Sequence, residues 1–360
     1  MMVTTWTNVP GFGEAVVYPL SFNSHVRQVL VGFARLAAVG QVKVRFDASG
    51  RAKFGVEPKH FLDDSRLCVV VEIGGRHIVF DVHDTADLFE PLLRIADVYF
   101  KRSYSRALHG ALPNVRPYGL NYGVELEEPW STGAMLALRL EPGRHSIREA
   151  WRALDLPGCR HTVVSNLLGT PEATDEPRVM FMTRVWDPDD RNDRPNERRE
   201  ERRQISLMRV ACIVALRDRF GARFTGGLQP SRYAVRNWPD LVADSRLCER
   251  HNFLAELDRH DVCVATDGLY GSVGWKLAEY VAKSRAIVSE PLRYELIGSF
   301  TEGTNYLSFE SPDECVRQVQ LLVEDKRLRS AMMRSNSKYF AEYGLPERLV
   351  YHALSHAASA

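Results

Sequence analysis

Two hydrophobic periods alternate along the first 123 residues. AVVYPL (15–20) is an apolar run of strand length, and Val26, Val29, Leu30, Phe33 and Leu36 follow at spacings of three and four, as in a helix with one buried face. Asn23 and Ser24 stand where such a helix needs oxygens for its first unpaired N–H groups. VKVRF (42–46) alternates with period two, as half-buried strands do. CVVVEI and HIVFDV are β-rich runs meeting at Gly74-Gly75, a good hairpin turn. DLFEPLLRIAD (87–97) returns to helical spacing and predicts an amphipathic helix for which Asp84 is a natural N-cap. VYFK, a second small helix and the loop VRPYGLNYG (115–123) come next. Strands alternating with helices predict an α/β layer, and the hairpin makes its sheet mixed.

The stretch 124–174 has Pro and Gly breaks around one helical segment, HSIREAWRAL (145–154), and the domain junction is placed there. VMFMTRVW (179–186) is a strand. DPDDRNDRPNERREERRQ (187–204) carries seven acidic and six basic residues in eighteen positions, a balance that fits a solvated loop and helix start better than a nucleic-acid patch. The helix that follows keeps Ile205, Met208, Cys212 and Leu216 on one face and ends at Phe220-Gly221. Phe224-Thr225-Gly226-Gly227, a helical region at 247–258, the strand DVCVAT (261–266), the helix WKLAEYVAKS and the strand AIVSE (286–290) complete a βαβ pattern. NYLSF (305–309) is another strand, and Ser311-Pro312-Asp313-Glu314 is a strong helix start with the elements of a capping box.

At 360 residues the chain exceeds what one core usually serves, so two domains are expected. The predicted division is 1–160, 175–340, and a closing helix at 341–360. With 47 basic and 46 acidic residues the net charge is +1, which gives no general reason to expect nucleic acid. Six cysteines stand singly without a CxxC pair, so reduced thiols and no metal are expected. No basic segment followed by an apolar stretch opens the chain, and no run approaches a bilayer span. The expected location is the cytoplasm, with the inner membrane face as a peripheral address.

The chemistry concentrates at DGLYGSVG (267–274), where Gly268, Gly271 and Gly274 lie between a buried strand and a helix. Glycine lets a ligand approach the backbone, and a helix start presents N–H groups to phosphate. Ser272 is a candidate cap. Lys276 and Glu279 share a face one turn on, suited to phosphate and to ribose hydroxyls, though a plain βα turn with a surface Lys and Glu fits the spacing equally.

DGLYGSVGWKLAEYVAKSRAIVSEPL and EGTNYLSFESPDECVRQVQLLVEDKRLRSAMMRSNSKYFAEYGLPERLV resemble the C-terminal half of bacterial GT-B glycosyltransferases. The resemblance covers about 90 residues well, and it implies two Rossmann-like α/β domains facing across a cleft, with closing helices crossing back to the first. It implies that Glu279 holds the donor ribose and that Gly271, Ser272, Val273 and Gly274 face the diphosphate. Retaining members commonly carry a glutamate eight residues before the ribose glutamate, a position that is Gly271 here.

Arg184 is a candidate diphosphate clamp, with a salt bridge to the acidic loop as the equal alternative. Gly226 and Gly227 either let a loop approach the donor or form a simple turn. For a catalytic base the candidates are His25 and the cluster Asp81, His83 and Asp84, with the cluster preferred; each also fits a cap or a satisfied polar group. Lys101, Arg102, Tyr104, Tyr118, Asn121 and Tyr122 lie in loops suited to an acceptor. The expected activity is transfer of a sugar from a nucleotide-diphosphate donor to a carbohydrate or glycolipid acceptor hydroxyl in bacterial surface glycan synthesis, without cofactor or metal. The alternatives are a sugar-nucleotide epimerase, a DNA-modifying glycosyltransferase and a catalytically silent binding protein.

Overall fold

The structure is a computed structural model that describes residues 12–56, 67–126, 130–140, 143–154, 162–190 and 195–359. The N-terminal residues 1–11, Cys159 and positions 191–194 of the charged run lie outside the described residues. The chain divides into two α/β units, Met1–Val163 with Leu345–Ala360, and Val164–Gly344.

The first unit holds a six-stranded sheet in the order β2-β1-β3-β4-β5-β6. Its strands are β1 (Glu14–Pro19), β2 (Lys43–Phe46), β3 (Cys68–Ile73), β4 (Arg76–Asp81), β5 (Val98–Lys101) and β6 (Val115–Pro117). Only β3 is antiparallel to its neighbours, so the carboxyl ends of the other five strands share one edge. The β3–β4 turn uses Gly74 and Gly75 at φ 56° and 78°, left-handed values that glycine adopts without a Cβ penalty. The helix Ser24–Ala38 starts where expected, with the Asn23 side chain accepting from the His25 N–H.

One predicted helix is largely missing. Within 87–97 only Glu90–Leu93 is helical. Phe89 is extended, its N–H donates to the Tyr99 hydroxyl at 3.1 Å, and by Asp97 the chain already donates to His77 O at 2.9 Å on its way into β5. The bond from Phe89 to the Tyr99 hydroxyl on one side and the entry into β5 on the other thus override the local periodicity. Asp84, with no helix to cap, pairs with Arg102 instead.

The closing helix, Pro346–Ser359, packs on Ser24–Ala38 within the first unit. Gly32 makes this possible: a Cβ there would meet the Pro346 carbonyl oxygen and lie 2.5 Å from Val350 Cγ2. Arg35 pins the contact with two bonds to Glu347, at 2.9 and 3.1 Å.

The second unit is a five-stranded, wholly parallel sheet in the order β11-β10-β9-β7-β8. The strands are β7 (Val179–Thr183), β8 (Phe224–Leu228), β9 (Val262–Ala265), β10 (Ala286–Ser289) and β11 (Leu307–Ser308). β9 and β10 are buried at every position, which explains their uninterrupted apolar runs. Gly226 and Gly227 are not in a loop but in β8, where added Cβ atoms would sit 2.7 Å from Phe181 O and 2.8 Å from Leu241 O. They serve close packing. The helix Pro312–Glu324 starts at Ser311, whose hydroxyl accepts from Glu314 N, while the Glu314 carboxylate accepts from the N–H of Glu310, one residue before the cap. Among the described residues no helix is long and apolar enough to cross a membrane.

Gly32→Ala tests the first unit's closure. Alanine in a helix would by propensity alone add about 1 kcal/mol, whereas overpacking costs about 1–3 kcal/mol. A fall in the urea unfolding midpoint is expected; a rise would show that the closing helix yields without cost.

Candidate active site

The winding direction of the second sheet reverses between β7 and β9, and in open α/β sheets the crevice at the carboxyl ends beside such a reversal is where ligands bind. Here the two strands pair only at Val179↔Val262 and Met180↔Cys263. Beyond those pairs β7 stays with β8 and β9 with β10, leaving a gap at the carboxyl edge. Arg209, from the helix Asn196–Phe220, spans it. Its guanidinium donates to Arg184 O at 2.7 Å, to Thr266 Oγ1 at 2.9 Å and to Asp267 O at 2.7 Å. Burial lowers its pKa to about 10, so it remains a cation at neutral pH. Two neighbours on the same helix hold the β7 loop: the Ser206 hydroxyl accepts from Trp186 N, and Arg202 donates to Asp187 O.

The glycine turn after β9 is closed by its own backbone, with Gly268 N donating to Ser272 O at 2.9 Å and Ser272 N to Leu269 O at 3.2 Å. Tyr270, at φ 64°, is held in the left-handed region, its N–H given to Glu201 and its carbonyl accepting from the Tyr294 hydroxyl. Gly271 adopts φ 65°, and a Cβ on it would lie 2.5 Å from Arg293 Cδ. Arg293 fills that space and pairs with Asp267 at 3.0 Å, while Asp267 N donates to Glu290 at 2.8 Å. Burial and the neighbouring Glu290 charge raise the Asp267 pKa to about 6 against the pull of Arg293.

Ser272 does not cap the following helix. The N-cap of Trp275–Ala282 is Gly274, which has no side chain to offer the helix start, and the Ser272 backbone closes the turn two residues earlier. Glu279 lies one turn inside and is buried. Its Oε1 accepts from Arg250 at 2.5 Å. Its Oε2 is buried with no hydrogen-bond partner among the described residues, Lys276 Nζ standing 3.7 Å away. The Lys276 ammonium instead packs over the Phe253 ring, 2.9 Å from its centroid, and burial of that end, helped by Arg250 and opposed by Glu279, lowers its pKa to about 8. Arg184 is exposed at the end of β7 and stacks on Trp186 at 3.8 Å.

In the first unit His25, Asp81, His83, Asp84 and Arg102 collect at the carboxyl edge, at the ends of β1, β4 and β5. Asp81 is fully engaged: it accepts from His83 N and Nδ1, the Tyr99 hydroxyl at 2.6 Å and Lys101 at 2.9 Å. Burial alone would raise its pKa, but the Lys101 charge and these donors hold it well below the usual carboxylate range. Such a carboxylate is a weak base. Cys68, Asp81 and His83 bring ligand-type atoms within 4.8 Å of one another, yet Lys101 already supplies the cation that Asp81 needs. Asp84 binds Arg102 at 2.5 Å. His25, whose Nδ1 is 3.4 Å from Arg102, has its pKa lowered to about 4, first by burial and then by the Arg102 charge, partly offset by Asp84. It is a neutral imidazole at neutral pH, able to accept a proton. Tyr104, Tyr118 and Tyr122 are core residues, and Asn121 bonds His25 O and Gln28.

Sequence reading missed Arg209, Arg250, Asp267, Glu290 and Arg293 as site residues. Arg209 did leave a signal, a charged residue within the apolar face formed by Ile205, Met208 and Cys212. Arg293 left none, since its partner Asp267 is 26 positions away.

No family model matches the chain, and no curated protein matches it in sequence. Among solved structures it is similar to TarM from S. aureus, a mutant in complex with fondaparinux, α-GlcNAc-glycerol and UDP (11% identity, 92% of this chain, 59% of that one, TM-score 0.41). It is also similar to sucrose-phosphate synthase from Thermosynechococcus elongatus (12%, 92% and 73%, TM-score 0.40) and to S. aureus MnaA with UDP (12%, 98% of both, TM-score 0.38).

Two measurements check that geometry. Arg209→Gln should speed amide hydrogen exchange at 184–187 and 267–272 while the paired centres of β7 and β9 keep their protection; unchanged loops would show that the gap is held by other contacts. His25 has a folded pKa of about 4 against 6.5, so the stability it confers is complete above pH 6.5 and is lost as pH falls towards 4. Unfolding free energy should therefore drop between these values by about 2 kcal/mol more in the parent chain than in His25→Asn.

Proposed function

We propose that the chain is a glycosyltransferase that binds a nucleotide-diphosphate sugar at the carboxyl edge of the second unit's sheet. The observation that carries this reading is Glu279 Oε2, a buried carboxylate oxygen without a hydrogen-bond partner one turn inside a glycine-bounded helix start. A buried acceptor left unpaired costs about 1–3 kcal/mol, and a ribose hydroxyl would satisfy it. The helix start at Gly274, together with Arg184, would take the diphosphate, and fixed donors of this kind stabilise a leaving diphosphate without a metal. Lys276, held over Phe253, acts here as a neighbour of Glu279 rather than as a phosphate contact. In the first unit the neutral His25 is the base that would take the proton of an acceptor hydroxyl, with Asp84 and Arg102 positioning it; Asp81 is structural. The acceptor is a carbohydrate or glycolipid, and a role in bacterial surface glycan synthesis follows from the resemblance in sequence.

An epimerase acting on a nucleotide sugar would use the same donor site, and it would need no acceptor. Incubation with the sugar nucleotide alone separates the two: an epimerised sugar overturns the transferase reading.

The ribose role is tested with UDP, ADP, GDP and CDP in a thermal-shift titration. The best of them should bind about 10- to 100-fold more weakly to Glu279→Gln, and its deoxyribose analogue should bind the parent chain and the variant alike. Absence of binding by all four nucleotides would overturn the donor site; equal loss of the analogue in the variant would overturn the ribose contact alone.

A further inference from the structure

Through its middle the helix Asn196–Phe220 has its polar side chains inside and its apolar ones outside. From Ile205 to Leu216 only Ser206 and Arg209 are polar, and both are buried, bonded to Trp186 and to Arg184 O. Cys212, Ile213 and Leu216 complete that inward face. The face turned away from the core carries Leu207, Ala211 and Val214, with Val210 half-buried at its side. Leu207 and Val214 are 47% and 41% exposed, although helices apolar on every side are normally buried on every side. Charge stands only at the ends of the stripe: Arg203 lies one turn before Leu207 and Asp218 one turn after Val214, both exposed. Arg203 forms a surface pair with Glu200 at 2.5 Å. Asp218 has no partner among the described residues.

We infer that this face pairs with the same face of a second copy of the chain, helix against antiparallel helix. The stripe is self-complementary about a two-fold axis passing between Val210 and Ala211. Leu207 then lies opposite Val214 of the other copy, and Arg203, as far before the axis as Asp218 is after it, lies opposite Asp218. Charge complementarity decides for this occupant and this direction. Run antiparallel, the pair gives each unpartnered Asp218 carboxylate a cation while Arg203 keeps Glu200 beside it; run parallel, it would set Arg203 against Arg203 and Asp218 against Asp218. The positions 203, 207, 210 and 214 recur by fours and threes, the spacing with which two helices keep one seam in contact. Burial of the apolar stripe supplies the drive, and the charged ends set the register. The contact uses no residue of the donor or base reading, so either can fail without the other.

Sedimentation velocity of the full chain from about 1 to 100 μM tests the inference, and the parent should pass from monomer towards dimer across that range. Leu207→Gln with Val214→Gln should weaken association at least about tenfold while the urea midpoint of the monomer is unchanged. Arg203→Glu and Asp218→Lys, made singly, should each weaken the dimer by about three- to tenfold, and together in one chain they should return it to within about threefold of the parent. At about 22 Å apart along one helix the two positions cannot compensate within a copy, so rescue reports contact across the pair. A chain still monomeric at the highest concentration would overturn the inference. So would a dimer that the glutamine pair leaves unchanged, which would place the contact elsewhere, and weakening by the two charge changes without rescue would overturn the antiparallel pairing.

Discussion

A buried guanidinium bridges the gap where β7 and β9 part in the second unit's sheet. Parallel strands β7 and β9 share just two residue pairs before they part, and the backbone groups beyond would be left to solvent or to one another. Arg209 takes carbonyls from both sides of the gap and a hydroxyl from one. A charged donor in a site of low dielectric makes strong hydrogen bonds and tolerates little displacement. The loop that presents Arg184 and the loop that presents the glycine turn are consequently held at one separation.

Around that fixed opening, polar groups are arranged with unequal satisfaction. Asp267 shares its surroundings with Glu290 and Arg293, and Tyr270 is kept in a strained conformation by hydrogen bonds from two other segments. Strain and crowded charge of this sort persist only where surrounding structure over-determines them, and they mark functional sites more often than plain turns. Glu279 is the clearest instance, one oxygen paired with Arg250 and the other without a hydrogen bond, 3.7 Å from Lys276 Nζ. The first unit shows the contrast. Asp81 has every lone pair engaged and gains stability at the expense of basicity, whereas the neighbouring His25 is kept neutral by burial and a nearby cation.

Gly271 illustrates how a single residue reads differently at the two levels. In sequence it is the position where retaining members of the enzymes it resembles commonly carry a glutamate. In the structure the vacated space is occupied by the alkyl chain of Arg293, which carries its charge to Asp267. Any side chain at 271 would have to displace that pair, so the local electrostatics of the turn are those of an aspartate and an arginine.

The sequence by itself determined the α/β class, nearly every strand, the Gly74-Gly75 hairpin, the Ser311 helix start and the glycine turn, because each follows from periodicity or from backbone preferences acting over a few residues. It also offered Glu279 and His25 as candidates, with His25 ranked below the cluster of Asp81, His83 and Asp84. It misjudged 87–97, where the Tyr99 hydroxyl and the entry into β5 outweighed helical spacing, and Gly226-Gly227, where close strand packing rather than a turn requires glycine. Only the tertiary structure decided which charges are used up and which remain. Asp81, His83 and Asp84 looked alike along the chain, yet their partners Tyr99, Lys101 and Arg102 come from the next strand over. Arg209 reaches residues 25 and 58 positions away. Hydrogen bonding and desolvation depend on distances in space, which no local pattern encodes, and they set the protonation and pairing of the groups at both candidate sites.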